Sequence, residues 1–467
     1  MLKGVVIAVA MSVSVSVAGA AFAHEDVDGK GGAAVPAETR KESPPGLESV
    51  PGPPPVETPE AKAEVLYRLG INGFLRGEGA GNFNLGDVAY QPQHSEGRFL
   101  YRIKPYGFWH PTDYLDLHVE GQAYGFTGGG SDDWNIGLYQ AYVEAKLPDS
   151  KLFALKGGRQ EFVYGSTFML GADSFFDGLT FDGGRLRLQP SDSVTVDLLG
   201  GAYAWPWAGT KGNVSGSYAT WALSEGTALE GYFLRDSRKA GGQPQQIVNS
   251  FGLRGTAKFG PLSLEVEPVY QTGQVFDTAK GENDDVSAYG GHADLTGEFE
   301  TAGIHHKLWT GFAIGSGSRA AADGISAKHQ FSNPDNDTAL VGDMHVFGDL
   351  SGGDVNGHRA SGLQIYTLGW GVDFSKQLNL SATGHYFRAE AVETGLSKNL
   401  GLETDFILTY TISDNFALLL AYDHFFTGAF FKDATGSSSD IHYGYAMLQF
   451  NLEKSKLKAA KKIDKGA

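Results

Sequence analysis

Cations alternating with aromatic and aliphatic residues are the first sign of chemistry in this chain. Phe99, Tyr101 and Ile103 are spaced two apart, and Arg98, Arg102 and Lys104 occupy the other parity. A strand turns successive side chains to opposite faces, so these three cations share a face that the apolar residues avoid. The same parity sets Arg254 and Lys258 against Phe251, Leu253, Ala257 and Phe259. Acidic residues on polar faces are Asp116, Glu120, Glu144, Glu265, Glu267, Glu403 and Asp405. Lining a water-filled space, such groups pair across it with little net energy. Alternatively, guanidinium groups among them grip a carboxylate or phosphate with two parallel hydrogen bonds.

The elements that carry these residues read as strands. Leu115, Leu117 and Val119 alternate with Asp116, His118 and Glu120, and Leu262, Leu264 and Val266 with Glu265 and Glu267. Tight turns are expected near residues 111–113, 148–150, 190–193, 224–226, 260–261, 301–303, 375–377 and 413–415. Longer polar, glycine-rich loops are expected near 78–97, 127–135, 164–176, 206–211, 236–246, 273–285, 316–361, 389–400 and 427–439. Short and long connections alternate, as in outer-membrane barrels, and join about 18 strands. The expected fold is therefore all-β: a transmembrane, antiparallel, up-and-down β-barrel over residues 63–452, with both termini on the periplasmic side. Trp109, Tyr142, Trp205, Trp221, Trp309 and Trp370 are expected to form interfacial girdles. Alternation alone also fits a soluble sandwich; the alternating turn lengths and an export signal decide against it.

That signal occupies residues 1–23: Lys3, an apolar run from Gly4 to Val17, and the small-x-small pattern Ala21-Phe22-Ala23. Residues 24–62, rich in proline and acid, read as a disordered periplasmic linker. Residues 453–467 read as a basic tail. The chain has no cysteine, which excludes disulfides, thiolate metal sites and a thiol nucleophile. Its net charge is −17, of which the body 63–452 carries −18, so nucleic acid is not expected as a partner. The long loop 316–361 holds Lys328, His329, Asp343, His345, His358 and Arg359, at a spacing that matches no metal motif. Neither a metal nor a cofactor is expected. A loop of that length is expected either to fold inward and narrow the lumen or to close it from outside.

Three segments resemble the alginate-export family of outer-membrane barrels. They are Gly158-Arg159-Gln160 followed by Tyr164-Gly165 and Phe181-Asp182-Gly183 with Arg185; Leu380 to Arg388 with His385-Tyr386-Phe387; and Leu400-Gly401-Leu402-Glu403-Thr404-Asp405 through Ala421-Tyr422-Asp423-His424-Phe425-Phe426. The resemblance implies an 18-stranded barrel and a pore-lining role for Arg159. Two departures count against alginate as cargo or set the chain apart. The last turn, Ser413-Asp414-Asn415, is tight where those exporters carry a long insertion, and the chain does not end on an aromatic residue.

The expected function is a passive channel in the cell outer membrane, in contact with lipid and lipopolysaccharide. It would pass small or polymeric solutes, with anions a candidate class. Two rival readings stand beside it: a barrel enzyme of lipase or protease type, for which no catalytic constellation stands out, and a non-conducting envelope scaffold. Oligomeric state has no signature in the sequence.

Overall fold

The computed structural model describes residues 65–457, apart from 87, 129–132, 148–149, 173–177, 206–210, 240–243 and 334–338. The expected signal, the linker and the tail beyond Leu457 lie outside the described residues. In chain order the strands are β1 Val65–Asn84, β2 Ala89–Thr112, β3 Leu115–Gly128, β4 Asp133–Lys146, β5 Phe153–Gln160, β6 Thr180–Ser191 and β7 Val194–Trp205. There follow β8 Lys211–Ser224, β9 Thr227–Lys239, β10 Gln246–Phe259, β11 Leu262–Asp277, β12 Glu282–Thr301 and β13 Ile304–Gly315. Then come β14 Gly352–Val355, β15 His358–Asp373, β16 Leu378–Val392, β17 Asn399–Ser413, β18 Phe416–Thr427 and β19 Ile441–Leu457. Each wall strand pairs antiparallel with its chain neighbour, and β1 pairs with both β2 and β19, closing an 18-stranded barrel. The remaining strand, β14, pairs only with β15 and belongs to the long connection after β13.

The wall follows from period-two alternation. Leu253, Val266, Leu308, Leu368 and Trp370 stand exposed on the outer face, where hydrocarbon rather than water is the natural neighbour. Small and polar residues turn inward between them, together with buried apolar residues such as Phe74, Leu100 and Phe387. Trp109 and Trp221 are outward, as girdles require, but Tyr142 and Trp309 are not. Tyr142 shares a parity with Glu144 and stacks on His118 at 4.9 Å, and Trp309 lies beneath the Lys307 ammonium. Each falls between outward residues, Val143 and Leu308, so strand parity overrides aromatic preference. The Trp205 side chain is outside the described residues.

Seven of the eight tight turns fall where expected, and the eighth, near 148–150, lies partly outside the described residues. Between β12 and β13, Ala302 (φ 54°) and Gly303 (φ 77°) adopt the paired left-handed backbone of a two-residue hairpin. Several of the other connections are shorter than their composition implied, whereas the one between β5 and β6, residues 161–179, is longer than the expected 164–176. β1 and β2 extend so far that residues 85–88 join them, and 278–281 join β11 to β12. Backbone ladders need no apolar side chains, so polar strands continue beyond the apolar belt. The last strand runs through Leu457, past Glu453 where the basic tail was expected to begin, and Val65 pairs with Leu457 at the end of the barrel where the tight turns lie.

Candidate functional site

Two connections leave the rim and fold into the lumen. The first, residues 161–179 between β5 and β6, sends Tyr164 to Asp197 at 3.1 Å and Ser166 to Glu267 at 2.6 Å, reaching β7 and β11. The second is the long connection 316–357, which holds helix α1 (Arg319–Ala322), a 3-10 turn at Ala339–Val341, and β14. Its Ser332 exchanges two hydrogen bonds with Gln271 of β11, and its Met344 N–H donates to Glu403 of β17 at 2.8 Å. Phe347 is buried against Phe387, Phe425 and Phe431, the last from helix α2 (Ala429–Thr435). The two loops meet where Phe168 stacks on Phe331 at 5.7 Å. Of the two placements open to the long loop, it takes the inward one.

Several cations lie on the inner face of the wall. Arg98 is buried, 2.5 Å from Glu78 and 2.6 Å from the Leu85 carbonyl. The Arg102 guanidinium lies over the Phe74 ring, and the Lys104 ammonium sits 3.7 Å from the centre of Tyr139, with Glu120 at 3.8 Å. Arg254 grips Glu265 through two 2.9 Å bonds and also binds Glu230 at 2.8 Å. Lys258 has the same parity but is exposed beside the β10–β11 turn. Arg159 does not join them. It pairs with Asp182 through bonds of 2.8 and 2.9 Å, on the face shared with exposed Leu155. The strand's own parity thus turns Arg159 to the outer face, against the expectation that it lines the pore.

The acidic residues that alternation turned inward are all partnered or buried there. Asp116 accepts from Lys146 at 2.6 Å and meets His110; Glu120 accepts from Gln140 and His118; Glu144 takes Arg185 at 3.1 Å. Glu403 and Asp405 belong to a different setting. With Asp423 of β18 and Asp343 of the long loop they form a buried group of four carboxyls, all under one-tenth exposed. As ionised groups, Asp343 Oδ2, Glu403 Oε2, Asp405 Oδ1 and both oxygens of Asp423 have no hydrogen-bond donor. Facing them are Arg76, bound to Glu78 at 2.8 Å and lying over the Tyr445 ring, and His385, 3.4 Å from Asp405. Burial, reinforced by the Asp405 charge and opposed by Arg76, pushes the Asp343 carboxyl up to about 6. Burial and the charges of Arg76 and His385 push His345, two residues on, down to about 4.

Sequence reading missed Arg76, Glu78, Asp423, His292 and Ser166 as site residues. Arg76 and Glu78 had a usable signal, since exposed Leu69 and Leu75 fix the parity of β1. Ser166 had none, being placed by a loop.

Ser166 Oγ lies 3.3 Å from His292 Nε2, and His292 Nδ1 lies 2.5 Å from Asp294. This is the connectivity of a nucleophile, base and orienting acid. Yet the hydroxyl donates to Glu267 at 2.6 Å, and a carboxylate beside the nucleophile opposes the negative charge that an acyl-transfer intermediate develops. Glu265, Glu267 and His292 also stand close enough to share a metal ion. Glu265 is held bidentately by Arg254, and Glu267 by Ser166 and Tyr232, so their oxygens are already occupied. The cluster reads best as a pin that ties the first inward loop to the opposite wall.

The sequence profile of the Alginate export family matches residues 122–444, which contain most of the wall and both inward loops. The chain belongs to the alginate export family. No curated protein matches it. Among solved structures, this alginate-export barrel is similar in fold to three from Pseudomonas aeruginosa. OpdQ has 13% identity and a TM-score of 0.57, over 83% of this chain and 99% of that one. OccK11 (OpdR) has 14% identity and a TM-score of 0.54, over 84% and 98%. OccK2 (OpdF), solved in complex with glucuronate, has 11% identity and a TM-score of 0.55, over 84% and 100%. At such identities the likeness concerns the fold. Family and fold together make this chain an outer-membrane barrel of the channel type.

Proposed function

We propose that this barrel passes small solutes bearing carboxylate groups, with both chain ends in the periplasm and without catalysis. The observation that carries the reading is the row of cations on the inner face: Arg102 and Arg254 are partly exposed there, while Arg98 and Lys104 are buried within it. A narrowed aqueous path selects by the charges that line it. The glucuronate bound to a structural relative is a solute of the proposed class. Alginate is not favoured, because β17 and β18 are joined by a tight turn, Ser413 pairing with Phe416.

Purified protein in planar bilayers is expected to give discrete conductance steps that small sugar acids block. Replacing Arg102 and Lys104 with glutamine should shift the reversal potential toward cations, whereas Arg159→Gln should leave it in place. An equal shift from Arg159→Gln would reject the assignment. The geometry at Ser166 gives the enzyme reading its one specific test: lipid or peptide hydrolysis lost in Ser166→Ala would displace the channel reading.

A further inference from the structure

The four-carboxyl group beneath the long loop has no role in selecting a solute, since all four side chains are buried. We propose that it is a proton-operated latch: the part of the long loop around Asp343, residues 339–357, stays seated in the lumen while the carboxyls share protons, and loosens when they ionise. The inference rests on the channel reading for its consequence, an open path, but its mechanism is a property of the loop and the wall.

The argument is one of charge balance. The loop contributes Asp343, β17 contributes Glu403 and Asp405, and β18 contributes Asp423. Opposing them are Arg76 of β1, which shares itself with Glu78, and His385 of β16. Glu78 in turn holds Arg98 of β2. Tyr443 and Tyr445 of β19 complete the surroundings, the former donating to Glu78 at 2.6 Å. The loop's own His345 stands nearby and brings no charge while it is held neutral. Four ionised carboxylates therefore outnumber the cations in reach, and the orphaned oxygens have no donors to replace water. Protons on the carboxyls remove both problems. A proton between Asp343 and Asp423 joins loop to wall directly, since these two face each other as a carboxyl pair.

The sign follows from comparing seated and released loops. Released and hydrated, Asp343 would lose its proton near the ordinary value of about 3.9, and seated it keeps it up to about 6. Over that window each rise of one pH unit weakens the seat by about tenfold for this group. His345 works the other way. Seated, it stays neutral down to about 4, and released it takes up a proton near its ordinary value of about 6.5. These two oppose each other, so the net dependence falls to the wall carboxyls, whose orphaned oxygens lack donors while the loop is seated.

The wild-type ratio of open to closed events in planar bilayers is thus expected to rise with pH between pH 4 and 6. Asp343→Asn should flatten that dependence, and His345→Gln, which removes the opposing proton, should steepen it by about tenfold per pH unit. A second measurement tests the seat without conduction. The chain lacks cysteine, so a single Val346→Cys, buried in the seated loop, can be probed with a methanethiosulfonate reagent against an exposed Thr394→Cys control. Its relative labelling rate should rise with pH in the wild-type background and stay flat with Asp343→Asn. Equal slopes in all three proteins, or labelling at 346 that ignores pH, overturns the latch. Silence in bilayers at every pH together with pH-dependent labelling refutes the channel reading and leaves the latch standing.

Discussion

At the scale of single residues, the seat is sensitive to atoms as small as a methyl group. Gly342 has φ 80°, and a Cβ there would run into the Glu403 carboxylate. Gly342→Ala should strain the backbone and lift Met344 from its bond to Glu403, raising the open fraction at all pH values; an unchanged conductance trace would show that the loop is not seated through that contact. The same scale shows what a sequence can tell. Arg98, Arg102, Lys104 and Arg254 each sit in an alternation with apolar residues whose side chains the wall leaves exposed, so strand parity alone assigns them a face. Arg159 was placed by resemblance, and its own strand, with only Leu155 as an outward landmark, carried too little pattern to correct it. Asp423 has no task legible in its own strand, since nothing local shows that a loop some 80 residues earlier descends onto it.

Among elements, the strands were legible and the loops were not. Period-two alternation is local and fixes both the face and the register of a strand. Inward folding of a loop depends on partners far along the chain: Ser332 with Gln271, Ser166 with Glu267, Phe347 with Phe425. Composition marked residues 316–361 as long and polar, while the apolar residues that seat it, Phe331, Met344, Phe347 and Leu350, are scattered without period. Phe347→Ala removes a ring that touches three others. It should cost the seated loop about 3 to 5 kcal/mol and increase susceptibility of the loop to protease while leaving the strands intact. Loss of the barrel itself would mean that the loop supports the wall as well as filling it.

For the whole molecule, the decisive contact is the seam between β1 and β19. There Arg76, Arg98, Glu78 and Tyr443 form a buried polar cluster, with Glu78 accepting from Arg98 and Tyr443 and pairing with Arg76. Glu78→Gln should leave two guanidinium groups with a neutral partner, and removal of one member of a buried pair typically costs about 3 to 5 kcal/mol. Its readout is the temperature at which the purified barrel unfolds in detergent, expected to fall by several degrees; no change would show that water reaches the seam. The seam also bears on assembly. The carboxyl group beneath the long loop draws on β1, β16, β17, β18 and β19, elements from opposite ends of the chain. Pairings of such sequence separation form late, because loop closure must precede any gain from them. The latch therefore has no receiver until the last strand meets the first, so an incompletely closed barrel leaves its long loop unanchored, and loop anchoring becomes a marker of finished assembly.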